Sequence, residues 1–113
     1  MEIINIKEDY PTSDVAVAEV EILIDAYNSV KTHALIKVIH GHGSHGVGGT
    51  IRLALRKRLK ELQKKHKIRT FIKGEAFSHD NLVNANPTQQ EYEMLIADED
   101  YQRLNSGVTI IFI

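Results

Sequence analysis

Three histidines and a run of glycines stand together where an apolar segment ends. His40, His42 and His45 have the spacing His-x-His-x-x-His, and glycine occupies positions 41, 43, 46, 48 and 49. Neutral imidazole can bind a metal or transfer a proton near neutral pH. Zinc needs three or four convergent ligands on a rigid frame, which a glycine-rich segment does not provide. We therefore expect no metal or other cofactor, and we keep two alternatives for His40. It acts as a general acid or base or as an oriented phosphate ligand, or it forms a structural hydrogen bond.

The glycine-rich segment also joins an apolar strand to a basic helix, and this arrangement suits an anion. Glycine lets the backbone approach a ligand closely, and the first N–H groups of a helix lack internal partners. We expect Thr50 to cap the helix and Arg52 to bind phosphate in a bidentate manner. The alternative is a tight turn that needs glycine only for its shape. The residues that we expect to contact a phosphate backbone are Gly41, His42, Gly43, Ser44, Gly46, Gly48, Gly49, Thr50, Arg52, Arg56, Lys60 and Lys64.

The charge of the chain is unevenly distributed although its net value is only −1. Nine of the fourteen Lys and Arg residues lie between Arg52 and Arg69, where Glu61 is the only acidic residue. Acidic residues gather instead at positions 8–25 and 91–100. A protein with one positive face attracts phosphate backbones locally even when it is nearly neutral overall. DNA or RNA is therefore the expected partner, and a solvated basic helix is the alternative.

The size and composition of the chain limit the remaining possibilities. Its 113 residues suffice for one hydrophobic core, and 42% apolar with 26% charged residues argues against disorder. The absence of cysteine excludes disulfides and thiolate catalysis. No apolar segment has the roughly 20 residues of a membrane span. We expect a single domain over residues 1–113 in a cytoplasmic protein that does not bind membranes.

Hydrophobic periodicity predicts an α/β fold in the order β-α-β-α-β-β. The predicted strands cover residues 2–7, 34–39, 68–73 and 108–113, and the predicted helices cover 14–30 and 50–65. An excursion at about 75–106 precedes the last strand, with a loop at 75–81 and a short helix from Pro87–Thr88 to Ala97. Right-handed crossovers predict a two-layer sandwich, in which both long helices cover one face of a four-stranded mixed sheet.

The same periodicity predicts which face of each long helix is buried. For the first helix the expected buried residues are Val15, Ala18, Ile22, Leu23, Ala26 and Val30. The expected solvent-facing residues of that helix are Asp14, Glu21, Asp25 and Asn28, an acidic set that should not touch nucleic acid. For the second helix the expected buried residues are Ile51, Leu55, Leu59 and Leu62.

The central motif, read with the end of the chain, resembles the Smr (small MutS-related) domain. It consists of His40-Gly41-His42-Gly43, then Gly48-Gly49-Thr50-Ile51-Arg52, and finally the strand that begins Gly107-Val108-Thr109. The resemblance covers nearly the whole chain. It implies a two-layer α/β domain that binds DNA or RNA, often with endonuclease activity, and is similar in layout to the C-terminal domain of a bacterial initiation factor. On this sequence, His40 matches the motif histidine, Gly41 and Gly43 its glycines, and Arg52 its helix-opening arginine.

The chain departs from that family at the end of the first strand. The family usually carries Leu-Asp-Leu-His-Gly there, whereas this sequence reads Ile4-Asn5-Ile6-Lys7-Glu8. An amide cannot act as a base at neutral pH, and Lys7 would need a large pKa depression to do so. We therefore expect nucleic-acid binding with weak or absent endonuclease activity. The alternatives are an active DNA or RNA endonuclease, which uses His40 with Glu8, Asp9 or a carboxylate of the excursion, and a protein-interaction module with acidic surfaces.

Overall fold

A computed structural model describes residues 1–7, 12–42 and 47–113, with side chains from residue 49 in the last range. The strands are β1 (Glu2–Asn5), β2 (Leu35–Ile39), β3 (Thr70–Lys73) and β4 (Val108–Phe112). The helices are α1 (Ser13–Ser29), α2 (Val47–Lys64), α3 (His79–Asn84) and α4 (Gln89–Ile96), and a 3-10 turn covers Gly74–Ala76. None of the described helices is long and apolar enough to cross a membrane.

The strands form one mixed sheet in the order β1-β2-β4-β3. Strand β1 runs parallel to β2, and β4 lies antiparallel between β2 and β3. The predicted α/β class and four-stranded mixed sheet are therefore confirmed. Alternate side chains of a strand point to opposite faces, so β2 and β4 contribute to two separate cores.

Helices α1 and α2 pack together on one face of the sheet, as predicted. Helix α2 buries the four side chains that its periodicity indicated, namely Ile51, Leu55, Leu59 and Leu62. They pack with Ile36 and Val38 of β2 and Ile111 of β4 in one continuous cluster.

The predicted buried face of α1 is wrong. The helix buries Ala16, Val17, Val20 and Ile24, and it leaves Val15 42% and Ile22 63% exposed. Apolar residues occur all round this helix, so its periodicity offers two apolar stripes. The stripe that packs also brings the partly buried Leu23 and Tyr27 against the core. It therefore buries more apolar area than the alternative, in which two of the residues are alanines.

The excursion forms a third layer on the opposite face of the sheet, which the two-layer prediction did not include. The predicted helix near Thr88 is confirmed as α4, where Thr88 and Glu91 form a capping box. The predicted loop at 75–81 instead contains the 3-10 turn and the start of α3, which Ser78 caps. The second core consists of buried residues of the excursion and the sheet, namely Leu35, Ile72, Phe77, Leu82, Leu95, Ile110 and Phe112.

Lys37 interrupts the apolar run of β2 because it forms ion pairs with the excursion. It is only 2% exposed, and its Nζ lies 2.9 Å from Asp98 Oδ1 and 2.5 Å from Asp100 Oδ2. Burial disfavours the charged lysine, but the hydrogen bonds that Lys37 donates to Asp100 and Asp98 outweigh this effect and raise the pKa of Lys37. Of the late acidic cluster, the acidic residues at positions 91–100, Glu91, Asp98 and Asp100 therefore face inward, whereas Glu93 and Glu99 are exposed. This removes most of it from the acidic surface that a protein-interaction module would use.

The packing of α1 makes a pair of isoleucines a direct test of its orientation. We expect Ile24→Ala to lower the free energy of unfolding by about 2–5 kcal/mol, because it opens a cavity in the core. We expect Ile22→Ala to change it by less than about 1 kcal/mol, because that side chain lies in solvent. Urea denaturation of the two variants measures both values, and equal losses would contradict the observed face.

Candidate functional site

The carboxyl ends of β1 and β2 meet the start of β4 at one edge of the sheet. The N–H groups of His40 and Gly41 both donate to the carbonyl oxygen of Gly107, each at 3.0 Å. Gly41 has φ = 76°, and a Cβ atom there would lie 3.0 Å from Cγ of Lys7. The stem of Lys7 therefore lies against Gly41. Ligands of α/β proteins commonly bind at this end of parallel strands, which makes the edge the natural candidate site.

His40 lies beneath this edge with no exposed surface. Its Nδ1 lies 3.0 Å from the carbonyl oxygen of Gly41, and its Nε2 lies 2.9 Å from Thr109 Oγ1. A carbonyl oxygen only accepts, so Nδ1 carries the proton and Nε2 accepts from the Thr109 hydroxyl. Thr109 Oγ1 in turn accepts from Arg56 Nε at 3.3 Å. Every hydrogen-bonding group of the neutral imidazole is therefore satisfied.

This environment opposes protonation of His40. Burial, reinforced by the positive charges of Arg56 and Arg52, lowers its pKa from 6.5 to about 4. A general acid or base must reach the atom that gains or loses the proton. An enclosed imidazole with both nitrogens engaged does not meet that condition. The geometry therefore favours the structural alternative for His40 over the catalytic one.

Arg56 also points inward, although it was expected to contact phosphate. It is 8% exposed, and its NH1 and NH2 atoms lie 2.8 and 2.7 Å from the carboxylate oxygens of Glu75. NH2 also donates to the carbonyl oxygen of Val108 at 3.3 Å. Beside Glu75, Gly74 permits the chain at Asn105 to approach closely, because a Cβ atom at Gly74 would lie 1.9 Å from the Asn105 carbonyl oxygen. Through these contacts Arg56 connects the start of the excursion with β4.

The other polar residues at the edge stabilise the local backbone. His42 is exposed, and its Nδ1 lies 2.8 Å from the hydroxyl of Ser106. Asn5 accepts a hydrogen bond from the backbone N–H of Lys7 at 2.9 Å through its side-chain oxygen. Among the described residues, no group of three or more His, Asp or Glu side chains is placed to hold a metal.

Part of the predicted phosphate-binding segment lies outside the described residues, namely Gly43, Ser44, His45 and Gly46. Helix α2 begins at Val47, so Gly48 and Gly49 belong to its first turn. Thr50 consequently lies inside the helix, and the predicted cap at Thr50 is wrong. Arg52 lies on the following turn, where it is partly exposed.

The basic residues between Arg52 and Arg69, which we call the basic stretch, fall into two groups. Some of its arginines have acidic partners, whereas several of its lysines extend into solvent. Arg58 contacts Glu21 at 2.7 Å and Glu61 at 2.8 Å. Lys57, Lys60 and Lys64 are exposed on one side of α2, together with the 66% exposed Leu53. We call these three lysines the lysine face, and none of them takes part in a salt bridge with another described residue. Sequence reasoning missed Lys57, although its spacing of three from Lys60 placed it on the same side.

A groove of about 400 Å³ continues the lysine face along the outer edge of β3. It lies between α2 and α3, and Lys60 and Lys73 are among the residues that line it. The amide side chains of Gln63, Asn81 and Asn84 also contribute to its walls. The two lysines give this otherwise largely apolar groove a positive charge.

The fold and the site define an α/β domain with a buried polar cluster at one sheet edge and an exposed lysine face beside it. No protein-family model, characterised protein or solved structure matches the chain. The resemblance to the Smr domain therefore depends on the motif residues themselves.

The buried His40 makes stability depend on pH in a defined window. Its folded pKa lies below the unfolded value of 6.5, so protons bind the unfolded chain more strongly. We expect the free energy of unfolding to fall by about 2 kcal/mol from about pH 7 to pH 5. His40→Gln should lower stability at the higher pH and abolish this slope. Urea denaturation of the wild type and the variant at about pH 7 and pH 5 measures these free energies of unfolding. An unchanged slope in the variant would contradict the buried, neutral imidazole.

A second pair of variants tests whether Arg56 is structural. We expect Arg56→Leu to lower the free energy of unfolding by about 2–4 kcal/mol, because it leaves Glu75 and two backbone acceptors without their donor. Arg52→Leu, one turn earlier, is the matched control and should cost less than about 1 kcal/mol. Urea denaturation of the two variants measures the difference. If Arg56→Leu did not lower the free energy of unfolding, Arg56 would again be a candidate phosphate-binding residue.

Proposed function

We propose that this protein binds DNA or RNA by contacting the phosphate backbone with the lysine face of α2. The observation that carries the proposal is the division of the basic stretch. Arg56, Arg58 and Arg69 have carboxylate partners, whereas Lys57, Lys60 and Lys64 extend into solvent on one side. Solvated ammonium groups can exchange their counterions for phosphates without breaking internal contacts.

The spacing of the lysine face suits a nucleic-acid strand. Lys57 and Lys64 are seven residues apart, about 10 Å along a helix axis. This distance corresponds to roughly three phosphates of one strand, measured along a duplex axis. Such contacts position a protein on nucleic acid but do not read its sequence. We therefore propose binding with little sequence preference.

Arg52 and the glycine-rich segment extend the proposed surface. The Smr resemblance matches Gly41, Gly43 and Arg52 to motif positions, the glycine-rich sequence predicts phosphate contacts for them, and the stem of Lys7 lies against Gly41. On α2, Arg52 and the lysine face extend from the second turn to the end of the helix. We also propose that the protein is located in the cytoplasm, where nucleic acid is accessible.

The proposed function does not include cleavage. His40 is enclosed, Asn5 is an amide bound to the local backbone, and Lys7 replaces the family's second imidazole. No general base is therefore available at the positions where the family carries its catalytic candidates.

Charge removal on α2 tests the proposal. We expect the triple variant Lys57→Gln, Lys60→Gln, Lys64→Gln to bind labelled duplex DNA and structured RNA at least about tenfold more weakly at low salt. The slope of log K against log salt should become less negative by about 2–3, because three phosphate contacts are lost. Fluorescence anisotropy at several salt concentrations measures both quantities.

The control is Lys31→Gln, Lys65→Gln, Lys67→Gln, which removes the same charge elsewhere on the molecule. It should retain most of the affinity, and circular dichroism should show that both variants fold. The wild-type samples should contain intact strands on a denaturing gel. If the two triple variants lost affinity equally, binding would depend only on net charge, and the lysine face would be rejected as the binding site.

A further inference from the structure

Helix α1 carries a second apolar stripe on the side that faces away from the core. Val15, Ala18, Ile22 and Ala26 are all exposed, and their spacing of three, four and four residues places them on one side of a helix. We call these four residues the α1 stripe. Single exposed apolar residues need no explanation, but a continuous row at helical spacing is the pattern of a docking surface.

The charged residues that α1 itself places beside the stripe are all acidic, whereas Lys57 and Arg58 of α2 line a groove together with Asp14 and Ala18. Glu19 lies on one side of it, and Asp14 and Asp25 lie on the other, all three exposed. The helix contains no lysine or arginine. Its fourth carboxylate, Glu21, is paired with Arg58 of α2, which lowers the pKa of Glu21 and directs its charge toward α2. The stripe is therefore an apolar row between two negative borders.

We propose that the α1 stripe binds an amphipathic helix of a partner protein, one that presents an apolar row flanked by Lys or Arg residues. Two helices pack when the side-chain ridges of one fit the grooves of the other, and space is provided by Ala18 between Val15 and Ile22 and by Ala26 beyond Ile22. Basic residues beside the partner's apolar row would face Asp14, Glu19 and Asp25. This is the helix-in-groove mode of recognition.

The same charges disfavour the other occupants. Phosphate groups of nucleic acid and anionic lipid headgroups would meet the three exposed carboxylates. A second copy of α1 would bring like charges together on both borders. The α1 stripe also differs from the lysine face, because the Arg58–Glu21 ion pair lies between the two helices.

The test uses a capped synthetic helical peptide of about 18 residues, roughly five turns, with leucine in one row and lysine on both borders. The control peptides have the same composition in scrambled order, or glutamate in place of every lysine. Fluorescence anisotropy measures affinity, and amide chemical shifts in two-dimensional NMR spectra locate the bound peptide. We expect the patterned peptide to bind most tightly and to shift the amide signals of α1.

Ile22→Gln should weaken binding of the patterned peptide at least about tenfold, because it places an amide at the centre of the apolar row. Glu19→Lys with Asp25→Lys should weaken it similarly, and their effect should diminish at high salt. The control is Val83→Gln, which changes another exposed valine, on α3, and should leave the affinity unchanged.

Three results would overturn the proposal. The first is equal binding of the scrambled and patterned peptides, and the second is equal binding of the peptide by the Ile22→Gln and Val83→Gln variants. The third is a concentration-dependent dimer that Ile22→Gln abolishes, seen by sedimentation, since this would assign the stripe to a second copy. Because Ile22 and Glu19 lie outside the lysine face, failure here would leave the nucleic-acid measurements unaffected.

Discussion

Among the described residues, Lys37 and Arg56 are buried and Arg69 is partly buried, and the fold depends on the carboxylates that neutralise these three cations. Lys37, Arg56 and Arg69 come from the sheet and α2, and each is paired with acidic residues of the excursion. A buried charge is tolerated only when a partner and hydrogen bonds compensate its lost hydration. The excursion therefore does more than cover the second core. It supplies the counter-charges without which β2 and β4 could not be buried on both faces.

This internal neutralisation also determines what the surface can do. Counting charges along the sequence suggests one long basic stretch and two acidic ones. In the folded protein, three of the arginines and most of the late acidic cluster form ion pairs with other residues of the chain. Two adjacent helices still differ in the charges that they expose, which are acidic on α1 and, on the lysine face of α2, basic. The two surfaces are chemically opposite, so they suit different partners, and the Arg58–Glu21 ion pair joins them.

The sequence predicted what depends on local patterns. Apolar runs located all four strands, and the helical period of α2 identified its buried side chains. It did not predict contacts between distant residues. The second core depends on Phe77, Leu82 and Leu95, which are too irregularly spaced to indicate one face. The burial of His40 depends on Thr109, which is 69 residues away. On α1 the local pattern was ambiguous, because two apolar stripes competed and only the tertiary packing distinguished them.

The same long-range contacts connect the histidine motif with the departures at Asn5 and Lys7. Because Thr109 and the Gly41 carbonyl hold His40 as a neutral, enclosed imidazole, a carboxylate at position 5 could not use His40 as an exposed partner. The amide of Asn5 stabilises the turn to Lys7, whose stem lies against Gly41. A motif can thus preserve a backbone geometry while its surface chemistry changes, because the fold constrains the buried atoms and the ligand constrains the exposed ones.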